Sequence, residues 1–234
     1  MIKKLIRNLL LGEKADSAKF TAWLRKKGVT IGEDVRFYSP ANTMVDVSAP
    51  WLLTIGDHVC ITHGVIILTH DYSWSVLKGL DGSVLGAQSP VHIGNHVFIG
   101  MNAVITRGVT IGDNVIIGAG SVVTKDCEPN SVYAGNPAKR IMSVEQYREK
   151  RAALQFAEAK NLVLEYKKKY GKIPPIEVFT EHFMLFSSAQ VATSIPAFNR
   201  QLHNCGNYDE SIAYMTKNPP MFASYEAFLA ACEI

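Results

Sequence analysis

The 234-residue sequence predicts a mainly β solenoid of short parallel strands, with a helical segment before it and a helical extension after it. Three observations predict this class. An aliphatic residue returns at every sixth position from Ile93 through Ile99, Ile105, Ile111 and Ile117 to Val123. Three places further on, at hexad position four, stand Asp34, His58, Gly64, His70, His96, Asn102, Gly108, Asn114, Gly120 and Asp126. These residue types tolerate a left-handed backbone, so a turn is expected every six residues. After Ile141 the six-residue period stops, and Ser143-Val-Glu-Gln spells a helix-starting capping box.

Residues 1–28 read as an N-terminal helical segment. Ile2, Leu5, Ile6 and Leu9 fall on one side of a helix and Lys3, Lys4 and Arg7 on the other. Arg7 and Asn8 break the apolar run and no small-residue cleavage site precedes Gly12, so a signal peptide does not fit. Such a helix either packs on its own protein or attaches weakly to an anionic membrane surface.

Residues 29–142 carry the repeat. Its frame is also visible at Ile31, Ile55, Ile61 and Ile67. Position two is often tiny (Gly32, Gly56, Gly94, Gly100, Gly112, Gly118), and position five is small or β-branched, from Val35 and Val59 to Ser121 and Cys127. A period of six suits neither an amphipathic helix nor hairpins. It suits coils of short strands, each burying its apolar row on the next. Thr43 and Ala49 are poor at the aliphatic position, and the frame slips by two residues between Ile67 and Ile93. There an inserted loop, residues 70–90, shows no hexad rhythm; a loop of that length in a compact domain is usually functional or disordered.

Residues 143–234 form the helical extension. A helix is expected to run to about Tyr170 and to stop at Gly171 and Pro174-Pro175, with Ala153, Phe156, Ala157, Val163 and Leu164 as its apolar stripe. Shorter helices follow from Ile176 to Phe186 and from Ser224 to Cys232. No chemical motif stands out here; covering the end of the solenoid, extending a subunit contact and touching a long glycan all remain open.

Composition narrows the function classes. The chain is 47% hydrophobic and 19% charged with a net charge of +3, and no basic stripe interleaved with aromatics argues for nucleic acid. Cys60, Cys127, Cys205 and Cys232 lie far apart without a C-x-x-C, which favours a reducing, cytoplasmic setting. No stretch is apolar enough for a bilayer span.

The hexads, the Thr69-His70-Asp71 that opens the loop, and the ending Ile117-Gly-Ala-Gly-Ser-Val-Val-Thr-Lys-Asp with Gly135-Asn-Pro-Ala-Lys-Arg-Ile together carry a resemblance. From about Val29 to Ile141 the sequence resembles the hexapeptide-repeat acyltransferases, in the branch of galactoside, maltose and capsular-polysaccharide O-acetyltransferases. The resemblance implies a triangular left-handed parallel β-helix that moves an acetyl group from acetyl-CoA to a sugar hydroxyl, in a surface polysaccharide or its precursor. It also implies a homotrimer with active sites between subunits, and no metal. Other small acceptors, such as an amino sugar or an antibiotic, stay open. A metal-binding β-helix related to γ-type carbonic anhydrases is a further reading, since His58 and His63 lie five apart, but a suitably placed third histidine is lacking.

By the same resemblance His70 is the general base; neutral imidazole suits removal of a hydroxyl proton near neutral pH. The competing reading makes His70 another corner residue, like His58 and His96. Asp71 is a candidate orienter of the imidazole. The Met101 N–H, after Phe98-Ile-Gly100, corresponds to the oxyanion donor, although most relatives carry Trp where Phe98 stands. Gly100, Gly118, Ala119, Thr124, Lys125, Lys139 and Arg140 are the implied acetyl-CoA contacts, the basic side chains answering the nucleotide phosphates. Asn42 and Asp46 are implied acceptor contacts, or else polar residues of an irregular coil. Tyr72 and Trp74 either stack on a sugar face or anchor the loop. Cys127, at an inward position, reads as core.

Overall fold

The computed structural model describes residues 9–233, so the expectations resting on residues 1–8 lie outside it. The chain divides into two units, the first ending at Tyr147 and the second beginning at Arg148.

In the first unit, strands of two to four residues stack into three sheets, one on each face of a coil. The sheets are parallel throughout except for Lys139–Ser143, which closes the second sheet antiparallel to Ser131–Ala134. The first face holds Thr30–Ile31, Leu53–Ile55, Val91–Ile93 and Thr110–Ile111. The second holds Arg36–Phe37, Cys60–Ile61, Phe98–Ile99, Val115–Ile117 and Ser131–Ala134, and the third Met44–Val45, Ile66–Ile67, Val104–Ile105 and Val122–Val123. The register matches the hexads: Ile31, Ile55, Ile93 and Ile111 align on one face, and Val45, Ile67, Ile105 and Val123 on another. The aligned aliphatic row and the position-five residues form one continuous buried core, with Val45 half-buried against it. Burial of each such aliphatic side chain is worth about 1.5–3 kcal/mol, and repetition multiplies it.

Local chemistry closes the corners. Asp34, His58, His96, Asn102 and Asn114, with Gly64, Gly108 and Gly120, all have positive φ, as position four requires. His70 and Asp126 are the two exceptions in that series. Position two is small because coils touch there: a Cβ on Gly56 would lie 2.8 Å from the Gly94 backbone and 2.5 Å from Asn95 Oδ1. Position three adds a side-chain ladder that the hexad reading overlooked. Asp57 Oδ1 accepts from Glu33 N, Asn95 Oδ1 from Asp57 N, and Asp113 Oδ1 from Asn95 N.

The coils differ in length. Ile93 to Ile111 spans 18 residues, whereas Ile55 to Ile93 spans 38. The extra chain leaves the solenoid through the antiparallel pair His70–Asp71 and Ala87–Gln88 and carries an unexpected helix, Trp74–Asp81, none of whose side chains is buried. At the N-terminal end Ser17–Lys27 is helical, capped by the Asp16 side chain on Lys19 N, and its Phe20 and Leu24 enter the solenoid core.

The helix Val144–Tyr170 begins at the expected capping box, where Ser143 Oγ accepts from Gln146 N and Gln146 Oε1 from Ser143 N. The second unit has its own core, rich in phenylalanine: Phe179, Phe183, Phe186, Phe198 and Phe228. The long helix contributes Ala159 and Val163 to it, while Ala153, Ala157 and Leu164 of the expected stripe face solvent. The buried face is thus set by the Phe156–Ala159–Val163 phase, which a hydrophobicity count could not choose over its neighbour. Besides Tyr225–Ala231, the shorter helices are Ala189–Ser194, Pro196–Leu202 and Tyr208–Lys217; the Ile176–Phe186 stretch forms two 3-10 turns. No helix among the described residues is long and apolar enough to cross a membrane.

Candidate active site

The third corner of the solenoid, where the third face ends, gathers the most unusual polar cluster. Asp46 follows the strand Met44–Val45, and Thr69 and His70 follow Ile66–Ile67, which stacks on it. His70 Nδ1 lies 2.5 Å from Asp46 Oδ2, with the Asp46 side chain 4% exposed and the imidazole 20%. The same carboxylate accepts from Thr69 N at 3.0 Å, Thr69 Oγ1 at 2.6 Å, Ser48 N at 2.9 Å and Ser48 Oγ at 2.7 Å. Burial pushes the Asp46 carboxyl up, but the hydrogen bonds from Thr69, Ser48 and His70 outweigh it and hold the group well below the usual range. A buried carboxylate at Nδ1 leaves Nε2 of a neutral imidazole as its basic nitrogen.

Asp71 does not orient His70. Its Oδ2 accepts from Arg107 Nε at 2.6 Å, and its Oδ1 from Ser73 N and Oγ. The Ser73 and Arg107 hydrogen bonds hold its carboxyl low. The reason is local: successive side chains of the strand His70–Asp71 point to opposite sides, so the residue beside the histidine cannot also face it. Asp46, read from sequence as an acceptor contact or a polar residue of an irregular coil, is the carboxylate that meets His70 Nδ1 instead.

Beside the imidazole, a cavity of about 230 Å³ is lined by Ser48, His70, Asp71, Tyr72, Trp74, Gly86, Ala87 and Gln88. The Tyr72 ring meets His70 edge-on at 4.8 Å and Trp74 at 6.0 Å. The inserted segment therefore builds one wall of the cavity rather than a disordered excursion. Asn42 is not among the lining residues; it sits in the 3-10 turn Pro40–Asn42 beside Ser39, whose Oγ lies 3.2 Å from His63 Nδ1.

The other expected residues fall on two different corners. Thr124 and Lys125 are exposed on the third corner, in the coil stacked beyond Arg107. Met101, Gly100, Gly118 and Ala119 lie on the second corner, where Gly120 N donates to Met101 O and a Cβ on Gly100 would approach Ala119 N to 2.5 Å. Met101 is 50% exposed, and its N–H meets no acceptor among the described residues. Exposed Lys139 pairs across the sheet with Ala134, next to this corner. Arg140 is turned back, its Nε donating to Ser131 Oγ at 3.2 Å. One edge of six extended residues, roughly 20 Å, separates Met101 from the corner that carries Arg107 and stacks on His70.

His58 and His96, at the same hexad position as His70, have left-handed backbones and stacked rings 4.7 Å apart. No cluster of three metal-ligating side chains occurs among the described residues. Cys127 is buried, and burial beside Asp126 pushes its thiol up to about 12, which suits a core residue and not a nucleophile.

Comparison with known proteins gives the lineage. Residues 90–125 match the model of the hexapeptide repeat of succinyl-transferase. Protein CapG of Staphylococcus aureus is 47% identical over 127 residues, 54% of this chain and 73% of that protein. The chain belongs to the hexapeptide-repeat acetyltransferases. The galactoside O-acetyltransferase of Escherichia coli K12 is 42% identical over 109 residues, 46% of this chain and 51% of its own length. Among solved structures, a galactoside acetyltransferase in complex with coenzyme A is 32% identical, with a TM-score of 0.42 over 61% of this chain and 80% of that one. Within this family the helical unit from Arg148 lies beyond the repeat that defines the membership.

Proposed function

We propose that the chain transfers an acetyl group from acetyl-CoA to a sugar hydroxyl, in a surface polysaccharide or its precursor, with His70 as general base. The observation that carries this reading is the buried Asp46–His70 pair opening onto a cavity walled by Tyr72 and Trp74. Aromatic faces with polar edges suit a sugar ring, and the galactoside and CapG relatives support such an acceptor.

The chemistry follows from the geometry. His70 Nε2 takes the proton of the acceptor hydroxyl as its oxygen attacks the thioester carbonyl. Asp46, accepting from Nδ1–H, fixes the tautomer and stabilises the imidazolium that forms. The tetrahedral oxyanion takes a hydrogen bond from the Met101 N–H, then collapses to the acetyl ester and the CoA thiolate, which recovers the proton from His70. No acyl-enzyme is needed when both substrates share one site.

His70 and Met101 stand on different corners of one chain, so a complete site requires the third corner of one copy beside the second corner of the next. That supports a homotrimer of left-handed coils with acetyl-CoA lying between copies: Thr124 and Lys125 from one, Gly100, Gly118, Ala119 and Lys139 from its neighbour. Four cysteines far apart in sequence, without a C-x-x-C, suit a cytoplasmic location, where acetyl-CoA is available.

The test is mass spectrometry of a glycan panel incubated with acetyl-CoA and the protein. A single acetyl mass gained with wild type and lost with folded His70→Ala is the expected result. An unaltered rate in that variant would return His70 to the corner residues.

A further inference from the structure

The helical unit from Arg148 carries a largely apolar cavity, set with a few polar groups, that the proposed acetyl transfer does not use. Its volume is about 310 Å³, at the lower end of the range for small-ligand sites. The lining includes Gln155, Ser187, Tyr214 and Asn218 among apolar side chains such as Met184 and Met221, with no charged residue. Met221 also walls a larger adjoining cavity of about 730 Å³.

The telling group is Ser187. It is 2% exposed, and its Oγ has no hydrogen-bond partner. A buried hydroxyl left unpaired is unfavourable, and native proteins rarely keep one without a use. Two neighbouring groups have spare capacity of the complementary kind. Gln155 Oε1 faces His182 Nδ1 at 3.2 Å, which leaves its –NH2 to donate. Asn218 Nδ2 donates to Tyr214 O at 2.8 Å, which leaves its carbonyl oxygen to accept. Donor, acceptor and an amphoteric hydroxyl thus meet in one cavity beside a tyrosine and methionines.

We propose that this cavity binds an uncharged sugar ring, separately from the acetylation site. Sugar hydroxyls both donate and accept, matching the three polar groups, while the C–H face of a pyranose suits Tyr214, Met184 and Met221. A charged ligand is disfavoured because no ionised side chain lines the walls to answer it. That the sugar belongs to the acceptor glycan rests on the O-acetyl transfer reading; the sugar class itself rests on the cavity.

Saturation-transfer NMR on the full chain tests this, with methyl glucoside, methyl galactoside, methyl N-acetylglucosaminide and maltotetraose as probes. Ser187→Ala removes an unpaired hydroxyl, so its melting temperature should equal or exceed wild type. Its affinity for a bound probe should fall roughly five- to tenfold. Met184→Trp, at an exposed position on the wall, should abolish the share of that signal that comes from this cavity. Trp74→Ala, which removes a wall of the acetylation cavity, should keep it, which separates this site from the catalytic one. Acetylation of the same probes by wild type reports on the transfer reading independently. Stronger transfer to maltotetraose than to the methyl glycosides assigns the site to a chain residue, and equal transfer to a free sugar. If no probe gives a signal that Met184→Trp removes, or Ser187→Ala binds as wild type does, the proposal is overturned.

Discussion

Two corners of the solenoid hold histidines at the same place in the six-residue repeat, and they do different things. On the first corner His58 and His96 adopt left-handed backbones and stack on each other. On the third corner His70 is extended, pairs with a strand from the inserted segment, and binds a buried carboxylate. The residue type is the same and the repeat position is the same. What differs is whether the repeat continues: where the next hexad follows, the histidine turns the chain, and where the chain leaves the coil, the histidine is extended and meets the carboxylate of the proposed base pair.

The sharpest way to break this comparison is to remove the imidazole on each corner. His70→Ala should lower acetyl transfer by about 10²–10⁴-fold, the usual contribution of a general base, with an unchanged thermal transition. His58→Asn, which keeps a residue tolerant of the left-handed backbone, should stay within about twofold of wild type. Equal losses from the two substitutions, read as CoA release, would mean that position in the repeat and not environment assigns the role.

Next in size is Asp46→Asn. It keeps the shape but loses the charge that five hydrogen-bond donors address, including His70. About a hundredfold loss in kcat is expected, and about 1.5–3 kcal/mol of stability. The stability loss should depend on acidity. Because the folded-state pKa of Asp46 lies below the ordinary carboxylate value of about 3.9, its contribution is complete above that value. It disappears as pH falls further, through the folded-state pKa. Wild type and variant should therefore converge in melting temperature on the acid side; a constant gap down to acid pH contradicts the assignment.

Asp71→Asn should act least among the third-corner substitutions. The Asp71–Arg107 pair is exposed, so KM for the acceptor should rise only about two- to fivefold, with faster proteolysis between residues 72 and 86. A loss in kcat as large as that of Asp46→Asn would restore Asp71 as the orienting group.

These contrasts also explain what could be read in advance. The strands, their register and eight of the ten left-handed corners are written as residue types at a fixed period, so local sequence suffices for them. The Asp46–His70 pair is not local. Twenty-four residues separate its members, in coils where Ile31 to Ile55 runs 24 residues instead of 18, so counting hexads could not bring them together. The position-three ladder recurs in frame at Asp57, Asn95 and Asp113, but short polar side chains at a turn are also what any solvated corner carries, so only the stacking of the coils shows them bonded. The helix Trp74–Asp81 exposes Val76 and Leu80, so no buried stripe advertised it. In the second unit the core is built from phenylalanines on short helices and turns with no shared period, and its cavity could be found only in three dimensions.

The placement of His70 and Met101 on separate corners has one more consequence. On the proposed reading, a chain that carries a perfect copy of every reacting group is inert by itself, because its own corners do not present them to one substrate. Two dead variants, one damaged at His70 and the other at the Met101 corner, should therefore revive each other when refolded as a mixture, since hybrid assemblies recover some intact junctions. On that reading turnover doubles as a census of assembly: diluting the protein until copies part should stop catalysis although every fold remains whole.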